Sequence, residues 1–148
     1  MRPLLVETLI NFRVCYISNL TNNGAYNMII SKLHLPLKDN NGGDLDFLHS
    51  RLTANLVNTF NGCTITKGVG AWMDKGVTYN EPIAIYEVAM WGAKYKTEQF
   101  VKMAHEFGAL AGQIAVYYSI DGRPMIDDIE PQYTTQKRPS ANNPKGGN

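Results

Sequence analysis

Glu81 is the side chain in this sequence whose type and setting best suit chemistry on a small charged ligand. It opens a β-type run at the end of the stretch TITKGVGAWMDKGVTYNEPIAIYEV, Thr64 to Val88. Ahead of it, Gly68 and Gly70 let a ligand approach the backbone closely, and Val69 lies between them. Trp72 and Tyr79 offer flat aromatic faces to a cation. A carboxylate, two glycines and two aromatics together describe a site for a small aromatic cation. The same residues also describe a long β-hairpin whose glycines serve twist and turn.

The other carboxylates fit structural roles. Glu87 falls in the middle of a strand pattern, where a paired charge is the simplest reading. Glu98 and Glu106 lie on a helical pattern and face solvent. The chain has no GxGxxG after its first strand, no phosphate loop and no GxSxG elbow. His34, His49 and His105 are scattered over separate elements, and Cys15 and Cys63 lack ligand spacing. No metal or redox cofactor is expected, and the thiols suit a reducing cytosol.

With 148 residues the chain is long enough for one domain with a real core. Its net charge of +1 provides no basic footprint for nucleic acid. Glu7 and Arg13 interrupt the apolar N-terminal stretch, so neither a membrane span nor a signal peptide is expected there. Residues 1–26 read as an arm peripheral to the fold, with Leu5, Leu9, Phe12 and Tyr16 at helical spacing. Residues 27–130 read as the domain. Residues 131–148, PQYTTQKRPSANNPKGGN, contain no acid and read as a disordered tail.

Within the domain the pattern predicts a strand over Asn27–Leu37, then a loop rich in Asn and Gly. A helix over Leu45–Phe60 follows, capped by Asp44 and stopped by Gly62. Strands are predicted over Cys63–Met73 and, after a turn of Asp74, Lys75 and Gly76, on to about Met90. Thr97 is the expected cap of a second helix that ends at Gly112. Ile114–Ile120 makes a fourth strand, and Asp121-Gly122 turns into a short fifth over Met125–Ile129. The order βαββαβ is the ferredoxin-like arrangement: an α+β fold with two helices on one face of an antiparallel sheet.

That arrangement leaves one sheet face without cover, yet both faces carry apolar residues. Met28 and Ile30 oppose Ile29, Leu33 and Leu35, and Ile83 and Ile85 oppose Ala84, Tyr86 and Val88. A sheet open to water should alternate apolar with polar residues. Burying even ~400 Å² of such a face at ~25 cal/mol per Å² favours association by roughly 10 kcal/mol before entropic costs. A homo-oligomer is expected, with ligand clefts between its subunits.

Gly70, Trp72, the short loop, Glu81 and the strand IAIYEV together resemble the bacteriophage S-adenosylmethionine-degrading enzymes, known as SAM lyases and formerly SAM hydrolases. The likeness in element order runs from Asn27 to Ile120, while the motif covers Gly70 to Val88. The chain departs from the family pattern in two ways: Trp72 stands where the family has tyrosine, and the loop is a residue or two shorter. The resemblance implies a PII-like trimer in the host cytoplasm with substrate bound between subunits and no cofactor. It implies cleavage of S-adenosylmethionine to methylthioadenosine and homoserine lactone, with Glu81 as the catalytic residue. Gly68, Val69, Gly70, Trp72 and Tyr79 would contact substrate. Depletion of a methyl donor to evade restriction would be the cellular use. A SAM hydrolase giving homoserine, a PII-like sensor that binds an adenine nucleotide without turnover, and a structural or host-interaction protein remain open readings of the same residues.

Overall fold

The computed structural model describes residues 27–132. The expected N-terminal arm (1–26) and nearly all of the expected tail (131–148) lie outside them. The described residues form β1 (Met28–Pro36), α1 (Asp46–Phe60), β2 (Thr64–Asp74), β3 (Val77–Trp91), α2 (Lys94–Leu110), β4 (Ala115–Ile120) and β5 (Arg123–Asp128). The five strands make one sheet in the order β2-β3-β1-β4-β5, antiparallel at every step. This is the ferredoxin-like order with β5 added outside β4.

Leucines at helical spacing place α1 on the sheet: Leu48, Leu52, Leu56 and Phe60 are buried on one side of the helix. Phe100, Ala104 and Phe107 do the same for α2. Both stripes meet Leu33, Leu35, Ala84, Tyr86, Val88, Met90, Val116 and Tyr118, which are the alternate residues of β1, β3 and β4 that face the helices. A side chain points to one sheet face or the other with period two, so their neighbours in sequence form the second face. Ile30 and Ile126 remain 49% and 72% exposed there, and the chain from 27 to 132 lays no helix over them. The two-sided apolar pattern therefore belongs to one covered face and one open face.

The turns follow their residue chemistry. Lys75 and Gly76 join β2 to β3, and Asp121 and Gly122 join β4 to β5, each pair with positive φ at both positions. Two-residue loops of this kind match the right-handed twist of the flanking strands. The helix ends depart from expectation by small shifts. Asn61 (φ 66) rather than Gly62 takes the left-handed position after α1 and donates its amide to Val57 O; a short polar side chain tolerates that conformation nearly as well as glycine. The Asp44 carboxylate accepts the Asp46 amide at 2.7 Å, one residue ahead of the N-cap Leu45. Thr97 does not cap α2. The helix begins at Lys94 after Ala93, and the Thr97 hydroxyl lies in its first turn and donates back to the Ala93 carbonyl at 3.3 Å. Gly112 (φ 74) does follow the end of α2.

Candidate active site on the open face

The pairing of β1 with β3 runs from Trp91 only as far as Ile83, opposite Pro36. β2 and β3 stay paired for six further residues on β3, to Val77 opposite Asp74, where the ribbon turns. Residues 69–82 are therefore a two-stranded ribbon that projects past the rest of the sheet. Pro82 sits where it leaves: its carbonyl accepts the Leu37 amide at 2.9 Å, and the Leu37 carbonyl, which meets no amide from proline, accepts the Leu45 amide at 3.3 Å instead.

The two-residue turn sets the register of this ribbon and, with it, the candidate site. Asp74 faces Val77, so Trp72 faces Tyr79, Gly70 faces Glu81 and Gly68 faces Ile83. Residues directly opposite share a face. Since Ala84 is buried under the helices, Ile83 and every pair in step with it lie on the open face. Trp72 and Tyr79 stack on each other, with ring centroids 4.6 Å apart and planes 19° from parallel. They remain 49% and 43% exposed.

Gly68 and Gly70 make the notch beside this stack. Neither has a left-handed φ, so their role here is space. A Cβ on Gly70 would lie 3.4 Å from Ile83 Cγ2 and 3.8 Å from Glu81 Cγ; one on Gly68 would lie 4.0 Å from Ile83 Cγ1. The Glu81 and Ile83 side chains flank the missing atoms, which leaves a shallow depression with a carboxylate at one side and an isoleucine at the other. Glu81 is half-buried and has no hydrogen bond or ion pair with another described residue. Glu87, six residues further along the same strand, pairs with Lys32 at 3.2 Å, as its mid-strand position suggested. Glu98 pairs with Lys94 one helical turn away, and Glu106 is exposed on α2.

Five of the six expected site residues thus come together: Glu81, Gly68, Gly70, Trp72 and Tyr79. Val69 does not join them through its side chain. It points to the other face of the ribbon, opposite Pro82, and is 72% exposed; strand alternation requires this of any residue between two that face the notch. Only its backbone borders the site.

Two residues of the open face were passed over in the sequence. His34 and Tyr117 meet edge to face, with centroids 4.7 Å apart. They continue the row Thr66, Ile85, His34, Tyr117, Ile126 across all five strands, next to the row that holds Gly68 and Ile83. Burial, reinforced by the Lys32 charge, holds the His34 imidazole below its usual pKa. The parity of His34 with Ile30 and Lys32, against Leu33 and Leu35, assigns it to this face; its contact with Tyr117 needed the pairing of distant strands.

The remaining histidines serve the covered face. The His49 Nε2–H donates to the Pro36 carbonyl at 2.7 Å, which leaves Nδ1 to accept from the Tyr86 hydroxyl. Burial pushes the Tyr86 pKa up to about 12. A small cleft between α1 and β2 opens above this pair, lined also by Thr53, Ile65 and Lys67, but its buried polar atoms already satisfy one another. Asp127 accepts from His105 Nε2 at 2.7 Å and from the Tyr118 hydroxyl at 2.5 Å. Those two hydrogen bonds hold the Asp127 carboxyl below its usual range. Burial, with the bond to Asp127, raises Tyr118 to about 12. Among the described residues no three His, Cys, Asp or Glu side chains cluster as a metal site, and no helix is long and apolar enough to cross a membrane.

No protein-family model matches the chain, and no curated protein sequence does. Solved structures do match. A phage SAM lyase in complex with S-methyl-5'-thioadenosine superposes with a TM-score of 0.51 at 13% identity, over 71% of this chain and 88% of that one. A phage SAM lyase in the apo state gives 0.53 at 12% identity, over 72% and 89%. The chain is thus similar in fold to phage SAM lyases, a five-stranded antiparallel sheet with two helices on one face, and the resemblance drawn from Gly70 to Val88 extends to the architecture that carries it.

Proposed function

We propose that this protein degrades S-adenosylmethionine by intramolecular cleavage to methylthioadenosine and homoserine lactone, in a cleft that forms where open sheet faces of a homotrimer meet. The observation that carries this reading is Glu81, a half-buried carboxylate with no partner among the described residues, over the Gly70 notch and next to an aromatic stack, within a fold similar to that of phage SAM lyases.

The chemistry suits a chain with few catalytic groups. The substrate's own carboxylate oxygen forms a bond to its γ-carbon as the bond from that carbon to the sulfonium breaks. The sulfur keeps the electron pair and leaves as the neutral thioether. A negative nucleophile and a positive leaving group lose their charges together, so no proton has to move. A cleft that excludes water and folds the methionine moiety into attack geometry lowers the barrier by orientation and weaker solvation of the two charges. In this reading Glu81 binds the α-ammonium, which frees the substrate carboxylate to turn toward the γ-carbon. The Trp72–Tyr79 stack presents an outer aromatic face to the adenine or the sulfonium. The glycines let the ligand lie against backbone.

The test is incubation of the purified protein with S-adenosylmethionine and separation of the products. Methylthioadenosine appearing with homoserine lactone supports the lyase, and homoserine from the first time points supports a hydrolase in which Glu81 activates water. Binding without turnover would replace both with a sensor. Cations are few here for a polyphosphate: Lys67 faces the cleft with α1 on the covered side and Lys75 lies in the turn, so a cationic adenosyl ligand is favoured over a nucleoside triphosphate.

A further inference from the structure

At the edge of the sheet far from Glu81, a groove runs between α2 and β5. Its floor is apolar, from Val101, Ala109 and Ile129, and its rim is acidic, with Glu106 and Glu130 along it and Glu98 and Asp128 toward the ends. Lys102 and His105 also reach it, but His105 is turned to Asp127. None of these residues has a part in the proposed reaction.

The chain itself leads into this groove. The Ile129 amide donates to Ile114 O at 2.9 Å and the Gln132 amide to Ala109 O at 2.9 Å, so the described chain ends at Gln132 beside the last turn of α2. From there the sequence reads YTTQKRPSANNPKGGN, which begins with an aromatic, carries Lys137, Arg138 and Lys145, and has no acid. We propose that the groove is the docking site for residues 133–148 of the same chain, with Tyr133 on the apolar floor and Lys137–Arg138 against Glu106 and the neighbouring carboxylates.

Reach and charge both fit. Five residues from Gln132 to Lys137 span at most about 17 Å when extended. The stretch of α2 from Ala109 back to Glu98 is about 16 Å at 1.5 Å per residue. Lys137 can therefore meet Glu106 with slack, and Glu98 only at full extension. Pro139 and Pro144 favour an extended segment over a helix. So polar a stretch cannot build a core of its own, and an oppositely charged groove at its root supplies the surface it lacks. The contact is largely electrostatic and near the surface, so salt weakens it.

Trypsin tests this in the full-length protein. Arg138 precedes proline and resists cleavage, and Lys145–Gly146 lies further along the tail, so the Lys137–Arg138 bond is followed by the mass of the fragment it releases. At low salt that bond is expected to be cut about tenfold more slowly in the protein than in a synthetic peptide of residues 131–148. Protection should vanish at about 0.5 M salt and in the Glu106→Lys/Glu130→Lys variant, whose fold is checked by circular dichroism. Carbodiimide coupling, which joins an ammonium to a carboxylate in contact, should link Lys137 to Glu106 or Glu130 within one chain. Cleavage at the peptide's rate at low salt overturns the proposal. So does protection that survives both salt and the double reversal, or coupling found only between chains.

Discussion

The two edges of the sheet are built on opposite plans. At the β5 edge, polar side chains answer one another: Asp127 takes hydrogen bonds from His105 on α2 and Tyr118 on β4 and ties three elements together. At the β2 edge, the ribbon outruns β1 and carries an aromatic pair, two glycines and a carboxylate with no described partner. An isolated two-stranded ribbon is marginally stable on its own, and an edge strand with unpaired backbone invites association. The β5 edge contributes to the fold, whereas in the proposed reading the β2 edge is completed by another copy of the chain. The comparison separates stability from function and predicts that substitutions at the two edges fail in different assays.

The largest effect is expected at Glu81. Glu81→Gln keeps size and shape but removes the charge that the proposed reaction uses, so turnover of S-adenosylmethionine should fall by about 10²–10³ or more. The melting temperature and sedimentation coefficient should stay those of the wild type, because no described residue depends on that charge. A Glu81→Gln protein with full activity would take the β2 edge out of the chemistry.

Asp127→Asn is the counterpart at the other edge. It exchanges charge-assisted hydrogen bonds from His105 and Tyr118 for neutral ones, at an expected cost of about 1–3 kcal/mol in denaturant unfolding, with little change in kcat. The pH dependence has a definite sign. A carboxyl whose pKa is lower folded than unfolded binds fewer protons in the folded state. Its stabilisation is complete above the unfolded value near 4 and is lost as pH falls through the lowered folded value. Asp127→Asn should flatten that part of the wild-type acid-unfolding curve. An Asn variant with unchanged stability at neutral pH would mean the β5 edge is held by packing alone.

Gly70 sharpens the boundary between the two roles. Its φ is ordinary for any residue, and an added Cβ would make an ordinary contact at 3.4 Å with Ile83. Gly70→Ala should therefore fold normally, changing unfolding free energy by less than about 1 kcal/mol. The methyl fills the notch beside Glu81, so KM for S-adenosylmethionine should rise about tenfold, roughly 1.4 kcal/mol of lost binding. An unchanged KM would mean the ligand does not lie against the glycines, and the hairpin reading of those residues would then suffice.

How much of this was legible in the sequence depended on the range of the interactions. Leu48, Leu52, Leu56 and Phe60 announce α1 because helical periodicity is local, and Asp121-Gly122 announces its turn because the backbone conformation is a property of those two residues. The helix ends moved by one to four residues, since Asn61 and Gly62 both suit a left-handed position and a first-turn threonine can bond backward as readily as cap. The mutual stacking of Trp72 and Tyr79 was recoverable from the turn, which sets Asp74 against Val77 and every pair behind them. The alternation likewise separated Val69 from Trp72. His34 against Tyr117, and the three-element knot at Asp127, were out of reach because they join strands and helices far apart in the chain. Glu81 at the β2 edge was visible for the opposite reason: its neighbours on the ribbon are local.

The smallest predicted effect concerns how the open face meets its copies. His34 lies in the middle row of that face with its pKa already held down by burial and by Lys32, while Glu87 is engaged with the same lysine. Burial of this face against another copy would remove more water from the imidazole and favour the neutral form further. A histidine whose pKa is lower in the assembly than in the free subunit weakens assembly as pH falls below the free subunit's value, which burial and Lys32 already hold under the usual 6.5. Sedimentation should therefore show assembly strongest above pH 7 and weakened, by less than tenfold per His34, as pH falls below that lowered value. His34→Gln should remove that dependence while leaving Glu81-dependent turnover at pH 7.5 in place. A pH-independent assembly would place His34 outside the contact between copies, and a stable single subunit at micromolar concentration would leave the ribbon without the second surface that its exposed aromatic pair and carboxylate require.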